Sequence, residues 1–221
     1  MILFSKCKME QSMIYLPEAM RKAVVPIFNS RKMAKCFVHV CHIESPSNFF
    51  IRLEENTRFV NELNNIPRNK LIVPDSLDVG TVVLYESEKF DRKLTRGKIL
   101  APVQVLGGKK YMIEAIDVGT TDSAISSELI WACDLKFPPF AIPCRLDACK
   151  APNGDIWNES SINGFKSLVP GTPQMTYITT VEDQLVVNFL AGHSMVSELM
   201  IMCGWAQMIP SFGTKKEFYL R

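Results

Sequence analysis

Four side chains that bind transition metals lie close together in one short segment: Cys36, His39, Cys41 and His42. Thiolates and imidazoles are the ligands that zinc prefers in structural sites. The same segment has the alternating pattern of a β-strand, whose successive side chains point to opposite faces. Cys36 and His42 would share one face and His39 and Cys41 the other, so the four cannot converge on one ion. We expect buried cysteines and ordinary histidines here, with no metal and no other cofactor.

Two further patterns have the residue types of enzyme sites. His193 and Cys203 could form a nucleophilic Cys–His pair, but both lie near a predicted helix and no sharp turn presents the thiol. The glycines and lysines of 107–110 resemble part of a phosphate-binding loop, yet the upstream glycine and the following Ser or Thr are missing. The sequence therefore predicts no catalytic residues and a protein that is not an enzyme.

Composition limits the remaining classes. The 221 residues carry a formal net charge of only +2, with basic and acidic residues interleaved, so no broad basic surface for nucleic acid is expected. No run of about 18 apolar residues predicts a membrane span. Lys6 and Lys8 interrupt the apolar start too early for a secretory signal, which favours an intracellular protein with its seven cysteines reduced.

The first part of the chain has the pattern of a short arm followed by a hairpin and a helix. Residues 1–34 are mixed and rich in methionine, and we interpret them as an N-terminal arm with a short helix. Alternating apolar residues in Cys36–Ile43 and Phe49–Leu53 predict a β-hairpin. Apolar residues at helical spacing from Phe59 to Ile66 predict a helix, with Asn56 as its cap.

The middle of the chain predicts a small barrel. Four short strands with tight connections are expected at Thr81–Tyr85, Leu94–Leu100, Lys110–Ile116 and Ser123–Trp131. The proline-rich segment Phe137–Cys144 must be extended, because proline disfavours helix at the residue before it. We expect it to cross back to the first hairpin.

The last third predicts a helix, two strands and a closing helix. The helix covers Ile162–Leu168, the strands cover Met175–Val181 and Leu185–Leu190, and Ser194 caps the closing helix. One pair of strands thus precedes the small barrel and one pair follows it. The simplest interpretation is a small barrel inserted into a second β-domain whose parts are separated in sequence.

Several motifs occur in the order and spacing of a known family. They are VGTVVLYESEKFDRKLTRGKIL (79–100), AIDVGT (115–120), FPPFAIPCRL (137–146) and LVVNFLAGHSMVSELMIMCGWA (185–206). They stand where extended Tudor domains have a Trp-Tyr-Arg-Ala strand, a Phe-x-Asp-Tyr-Gly-Asn turn, a proline-containing crossing segment and the closing strand and helix. The chain resembles an extended Tudor domain over roughly residues 35 to 210.

The resemblance implies a fold that is mainly β with α. A small Tudor barrel is embedded in a split staphylococcal-nuclease-like OB barrel, with connecting helices. The implied boundaries are an arm at 1–34, the first nuclease-like part and linker helix at 35–68, the Tudor barrel at 69–136 and the second nuclease-like part at 137–221.

The resemblance also implies a binding site. Members of the family bind arginine, often symmetrically dimethylated, in an aromatic cage, because a methylated guanidinium is a weakly hydrated cation that is attracted to ring faces. Carried over by position, the four cage rings fall on Tyr85, Thr95, Ala115 and Val118, and the cage amide falls on Thr120. One of the four ring positions is aromatic.

An incomplete cage leaves two outcomes open. In the first, the site takes unmethylated arginine, held by Tyr85 with a carboxylate such as Glu86, Glu114 or Asp117. In the second, the cage binds nothing, and the domain is structural or binds its partners through another surface. Phe90 of the 86–93 loop is a separate candidate, as a substitute ring for the cage.

The partner implied by the resemblance is the Arg/Gly-rich N-terminal tail of a PIWI-clade Argonaute, in unmethylated form. The chain would be a module of a germline piRNA-pathway scaffold in a cytoplasmic, perinuclear germ granule (nuage), with self-association through other parts of the scaffold and no membrane.

RNA binding is the alternative, since OB folds stack bases on exposed aromatic residues. The candidates are Phe49, Phe50 and Arg52, with Arg58 and Arg68 nearby.

Overall fold

The computed structural model describes residues 35–105, 108–135, 137–154, 156–181 and 184–211. The arm predicted for residues 1–34 lies outside this part. Within it, no helix combines the length and hydrophobicity that crossing a bilayer would require.

Most of the regular structure is β. The helices are α1 (Glu54–Leu63), α2 (Glu159–Leu168) and α3 (Val196–Met202). The strands are β1 (Lys35–Ser45), β2 (Asn48–Leu53), β3 (Val82–Glu86), β4 (Leu94–Val105), β5 (Gly108–Ala115), β6 (Thr120–Ser126), β7 (Ile130–Ala132), β8 (Ile142–Leu146), β9 (Cys149–Lys150), β10 (Gln174–Val181), β11 (Gln184–Ala191), β12 (Ser194–Met195) and β13 (Gln207–Met208). The predicted fold class, mainly β with connecting helices, is confirmed.

The larger barrel is built from strands at both ends of the described chain. β1 pairs with β2 and β10, β2 pairs with β8, β8 pairs in parallel with β11, and β11 pairs with β10 to close the ring. Its core contains the rings of Phe49, Phe165 and Phe189. The centroid of the Phe49 ring lies 5.2 Å from that of Phe165 and 5.7 Å from that of Phe189. Phe165 comes from α2, so this helix covers one end of the barrel.

The smaller barrel is inserted between β2 and β8. Its five strands follow the order β6-β5-β4-β3-β7 around a core that includes Val83, Tyr85, Ile99 and Ile113. The single strand predicted for Ser123–Trp131 is wrong. A 3₁₀ turn separates β6 from β7, because the chain must turn a corner to bring β7 alongside β3.

Helix α1 connects the two barrels. It begins at Glu54, so Asn56 lies in its first turn and is not the cap that the sequence predicted. Its Leu63 packs with Leu84 and Leu94 of the smaller barrel. These contacts place the small barrel against the helix that leaves the larger one.

A buried ion pair lies at the junction of the barrels. The Arg96 guanidinium donates from Nε and Nη2 to the two carboxylate oxygens of Asp117, at 2.8 and 2.7 Å. Arg96 is 0% exposed and Asp117 is 1% exposed. Nη1 and Nη2 also donate to the carbonyls of Phe137 and Pro138, at 2.7 and 2.8 Å, and the charge lies 4.6 Å from the centre of the Phe140 ring.

The larger barrel contributes to the same network. Arg52 of β2, which is 6% exposed, donates from Nη1 to the backbone carbonyl of Asp117 at 3.1 Å. The backbone N–H of Phe140 donates to the Asp117 carboxylate at 3.0 Å. One turn of the small barrel is therefore held by a strand of the large barrel and by the segment that crosses between them.

Replacing Asp117 with Asn should lower the free energy of unfolding by about 3–5 kcal/mol, because Arg96 would keep a buried charge without its counter-ion. Urea denaturation of the purified chain measures this. The other members of the cycle are Arg96→Met and the double variant Arg96→Met/Asp117→Asn, and the double variant should lose less stability than the two single losses combined. Full additivity in this cycle would contradict a coupled pair.

Candidate functional site

The turn between β5 and β6 contains the predicted cage position Val118 and lies between the predicted positions Ala115 and Thr120. The N–H groups of Val118 and Gly119 both donate to the Ala115 carbonyl, at 3.0 and 2.8 Å. Gly119 has a φ of 83°, in the left-handed region that favours glycine. A side chain at 119 would also collide with the Phe50 ring of β2. The turn is therefore fixed by its own hydrogen bonds and by the larger barrel.

Strand register brings the predicted cage positions together. Tyr85 of β3 lies opposite Thr95 of β4, and Ala115 of β5 lies opposite Thr120 of β6. Val118 packs half-buried against the barrel core. Thr95 is 6% exposed and its hydroxyl donates to the Lys93 carbonyl at 3.2 Å.

Tyr85, the one aromatic residue among these positions, belongs to the barrel core. It is 0% exposed, and a side chain at Gly97 would collide with its ring and with Ile113. Burial is the main reason why the pKa of its hydroxyl is raised, and the nearby carboxylates of Asp122 and Asp117 add to the effect. The ring faces no solvent and is not available to a ligand in this conformation.

Phe90 covers Tyr85 from the neighbouring segment. Its ring is edge-on to that of Tyr85, with the centroids 6.4 Å apart, and it packs half-buried on the core of the small barrel. This segment includes the 3₁₀ turn Glu88–Phe90. Ser87 is the N-cap of the turn, and its Oγ accepts a hydrogen bond from the backbone N–H of Lys89. The turn directs Phe90 inward and Lys89 toward β6.

Thr120, the residue predicted at the cage-amide position, is hydrogen-bonded to a lysine of the protein itself. Lys89 Nζ donates to the hydroxyl of Thr120 at 2.8 Å and to the carbonyl of Thr121 at 3.1 Å. Sequence reasoning missed Lys89, because 31 residues separate it from Thr120. The sequence signal that could have indicated this contact was the presence of basic residues in the 86–93 loop.

The three carboxylates predicted as accessory residues lie in different environments. Asp117 has both oxygens engaged with Arg96, so it faces no open space. Glu86 accepts a hydrogen bond from Arg68 Nε. Glu114 lines a cleft of about 210 Å³ between the barrels, together with Lys98, Phe50, Ile116, Gly119, Pro139, Ala141 and Pro143.

A larger groove lies beside the cage turn. It has a volume of about 470 Å³ and runs between the Glu86–Arg92 segment and β6. Its lining residues are Glu86, Ser87, Glu88, Lys89, Arg92, Lys110, Asp122, Ser123, Ala124, Ile125, Ser126 and Leu129. We call this the β6 groove. Sequence reasoning missed Asp122. It is a charged residue at a position of β6 that faces inward, where an apolar residue is expected, and this was the signal that could have identified it.

The described residues contain no group of three or more His, Cys, Asp or Glu side chains that could hold a metal ion.

The residues predicted to stack RNA bases make contacts within the protein. Phe49 is in the core of the larger barrel, Phe50 packs on Gly119, and Arg52 is bonded to Asp117 and Thr57. Arg58 is exposed and paired with Glu62.

The profile of the Tudor domain family matches residues 30–148, which is more than half of the chain. The chain belongs to the Tudor domain family. A comparison with curated protein sequences gave no significant match.

Solved extended Tudor domains share the fold of this Tudor protein. The third extended Tudor domain of mouse TDRD1, in complex with a MILI peptide containing dimethylarginine, matches with a TM-score of 0.66 and 16% identity, over 80% of this chain and 94% of that one. The Drosophila melanogaster Papi extended Tudor domain matches with a TM-score of 0.67 and 21% identity, over 79% and 99% of the two chains.

A variant of that Papi domain, in complex with an unmethylated Piwi N-terminal peptide, matches with a TM-score of 0.68 and 19% identity, over 79% of this chain and 99% of that one. The resemblance to extended Tudor domains is thereby confirmed at the level of fold. At this level of identity the likeness shows the fold, and the binding residues of this Tudor chain follow from its own geometry.

Gly97→Ala should lower the free energy of unfolding by about 1–3 kcal/mol, because the added methyl group overpacks the core between Tyr85 and Ile113. Chemical denaturation measures the loss. Lys98→Ala, at the exposed neighbouring position of β4, is the control and should change stability by less than about 0.5 kcal/mol. An unchanged Gly97→Ala variant would show that Tyr85 does not fill this space.

Proposed function

We propose that this chain is a non-enzymatic peptide-binding module of a germline piRNA-pathway scaffold, and that it binds the Arg-rich N-terminal tail of a PIWI-clade Argonaute in unmethylated form. The observation that carries the proposal is the state of the cage positions. The ring of Tyr85 is buried, and Thr95, Ala115, Val118 and Thr120 supply no other ring.

Loss of the rings changes which form of arginine is preferred. A methylated guanidinium gains affinity from ring faces within about 6 Å of its charge, and each such contact is worth roughly 0.5–2 kcal/mol. Without those faces the methyl groups bring no compensating attraction. Each methyl group also replaces one of the five N–H donors of the guanidinium. Unmethylated arginine therefore keeps more of its hydrogen bonds at this site.

The solved relatives support the class of ligand. The Papi domain is described in complexes with Piwi N-terminal peptides that carry either unmethylated or symmetrically dimethylated arginine. The TDRD1 domain is described with a dimethylarginine peptide of MILI. An arginine-containing tail of a Piwi protein is thus bound by this fold in both methylation states, and the local residues decide between them.

The same proposal extends to the cellular setting. The scaffold resides in the perinuclear germ granule (nuage), and other parts of it self-associate. A module that holds an unmethylated tail keeps that Argonaute close to a partner bound elsewhere on the scaffold. Linking two sites in this way raises the effective concentration to the millimolar range for short linkers.

Calorimetric titration with one Arg-Gly-rich tail peptide in unmethylated, monomethylated and symmetrically dimethylated forms tests the methylation preference. The unmethylated peptide should bind about fivefold or more tightly than the dimethylated one, since a lost hydrogen bond at a desolvated site costs about 1–3 kcal/mol. A peptide with arginine replaced by alanine is the control. Tighter binding of the dimethylated form would refute the proposed preference, and no binding of any form would refute the peptide-binding function.

Lys89→Met should tighten binding of the unmethylated peptide by about two- to fivefold. The variant removes the Lys89 ammonium, which has the same charge as the arginine of the peptide and donates to the Thr120 hydroxyl. Titration at fixed salt measures the change. Lys166→Met, an exposed lysine on α2, is the matched control for net charge. Equal tightening in both variants would indicate a general charge effect and no local competition.

A further inference from the structure

The β6 groove contains a buried carboxylate without a counter-ion. Asp122 is 8% exposed, and its Oδ2 accepts no hydrogen bond from any residue that the structure describes. Water solvates a carboxylate strongly, so burying one without a partner is unfavourable. This cost is not needed for the fold, since an uncharged side chain at this position would avoid it.

The other charged groups of the β6 groove mostly have partners. Arg68 donates to Glu86. Arg92 pairs with Glu88 at 3.2 Å. The Lys89 ammonium is directed to Thr120 and Thr121. Within the described part of the chain, no lysine or arginine forms an ion pair with Asp122, so this carboxylate keeps its full capacity to accept hydrogen bonds.

The walls of the β6 groove fit a long side chain that ends in a planar cation. Ala124, Ile125 and Leu129 give apolar surface along which methylene groups can lie. The hydroxyls of Ser87 and Ser126 line the same space. A volume of about 470 Å³ is within the range of small-ligand clefts. Arginine has this combination, and its guanidinium pairs with a carboxylate through two parallel hydrogen bonds.

We propose that Asp122 is the acceptor for the guanidinium of the bound arginine, and that the arginine lies in the β6 groove beside the degenerate cage. The proposal rests on the arginine-peptide function proposed above and assigns the residue that recognises the charge. The predicted carboxylates Glu86 and Asp117 are already engaged. Asp122 supplies a buried carboxylate oxygen, Oδ2, that has no partner among the described residues.

Entry to this site requires one side chain to move. Oδ2 of Asp122 is buried in the free protein. Lys89 lines the same groove and reaches across to residues 120 and 121 of β6, immediately before Asp122. The incoming guanidinium displaces the Lys89 ammonium to solvent and takes its place beside β6. The exchange keeps one positive charge in the groove while giving Asp122 a partner.

The site also accounts for sensitivity to methylation. Two nitrogens of the guanidinium must each point an N–H at the Asp122 carboxylate or at neighbouring hydroxyls. Methyl groups remove donors and add volume in a groove that offers no exposed ring in return. The carboxylate therefore selects the unmodified arginine by hydrogen bonding and not by attraction to aromatic faces.

The test is calorimetric titration of wild-type protein, Asp122→Asn and Glu159→Gln with the unmethylated Arg-Gly-rich peptide. Asp122→Asn keeps the shape of the side chain and should weaken binding by roughly 30-fold or more, as expected when one member of a buried charge pair is removed. Glu159→Gln, at an exposed position in the first turn of α2 and outside the groove, should bind within about twofold of wild type. The melting temperature of Asp122→Asn should be equal to or above that of wild type, because an unpaired buried charge has been removed.

A second variant tests the groove without altering a buried residue. Leu129 is 40% exposed on the groove wall, and Leu129→Lys should also weaken binding by roughly tenfold or more, because it places a competing cation beside Asp122. Ile156→Lys, at a position that is 84% exposed and outside the groove, is the matched control and should bind like wild type.

The outcomes separate this inference from the function on which it rests. Wild-type affinity in both Asp122→Asn and Leu129→Lys would overturn the β6 groove as the arginine site and leave the peptide-binding function in place. No binding by the wild-type protein would overturn both. Weakened binding in both variants, with both controls unchanged, would establish Asp122 as the acceptor.

Discussion

The buried ion pair between Arg96 and Asp117 is the constraint on which the arrangement of this molecule depends. Removing two charges from water is expensive, and the cost is recovered only when every remaining donor and acceptor is satisfied. Here the Arg96 guanidinium donates to Asp117 and to two carbonyls of the crossing segment, while Asp117 also accepts from Phe140. These groups come from three separate parts of the chain. The charges can be satisfied only when the small barrel and the crossing segment are together, and Arg52 of the large barrel donates to the backbone carbonyl of Asp117 in the same turn.

This arrangement separates the residues that maintain the fold from those that choose a ligand. Arg96 and Asp117 belong to the two motifs that also contain cage positions, yet their side chains point into the junction of the barrels. Neighbouring positions can therefore change without loss of the scaffold. In this chain Tyr85 fills space that the glycine at 97 leaves open, and Phe90 packs over it. Of the positions predicted for cage rings, Tyr85 belongs to the core, and Thr95, Ala115 and Val118 carry no ring.

Sequence patterns predicted the fold better than the site. Alternating apolar residues in β1, β2, β10 and β11 are a local signal, and so is the helical spacing in α1 and α2. The corner between β6 and β7 was not predicted, since it depends on where β3 lies. The site depends on partners that are distant in sequence: Asp117 looked available until Arg96 was found beside it, and the contact of Lys89 with Thr120 has no local signature. The unpaired state of Asp122 is a property of the whole neighbourhood, so no pattern of residue types could reveal it.

The insertion of one barrel inside the other also affects how the chain is made. Strands β1 and β2 are synthesised before the small barrel, and their partners β8, β10 and β11 begin 89, 121 and 131 residues after Leu53, the last residue of β2. At the usual rates of translation this is a delay on the order of 5 to 25 s. Throughout that time the first hairpin has unpaired edges, whereas the small barrel has all of its strands as soon as β7 has been made, before the synthesis of β8 begins. The nascent chain therefore has to protect an open sheet edge from other chains until synthesis of its second half closes the ring.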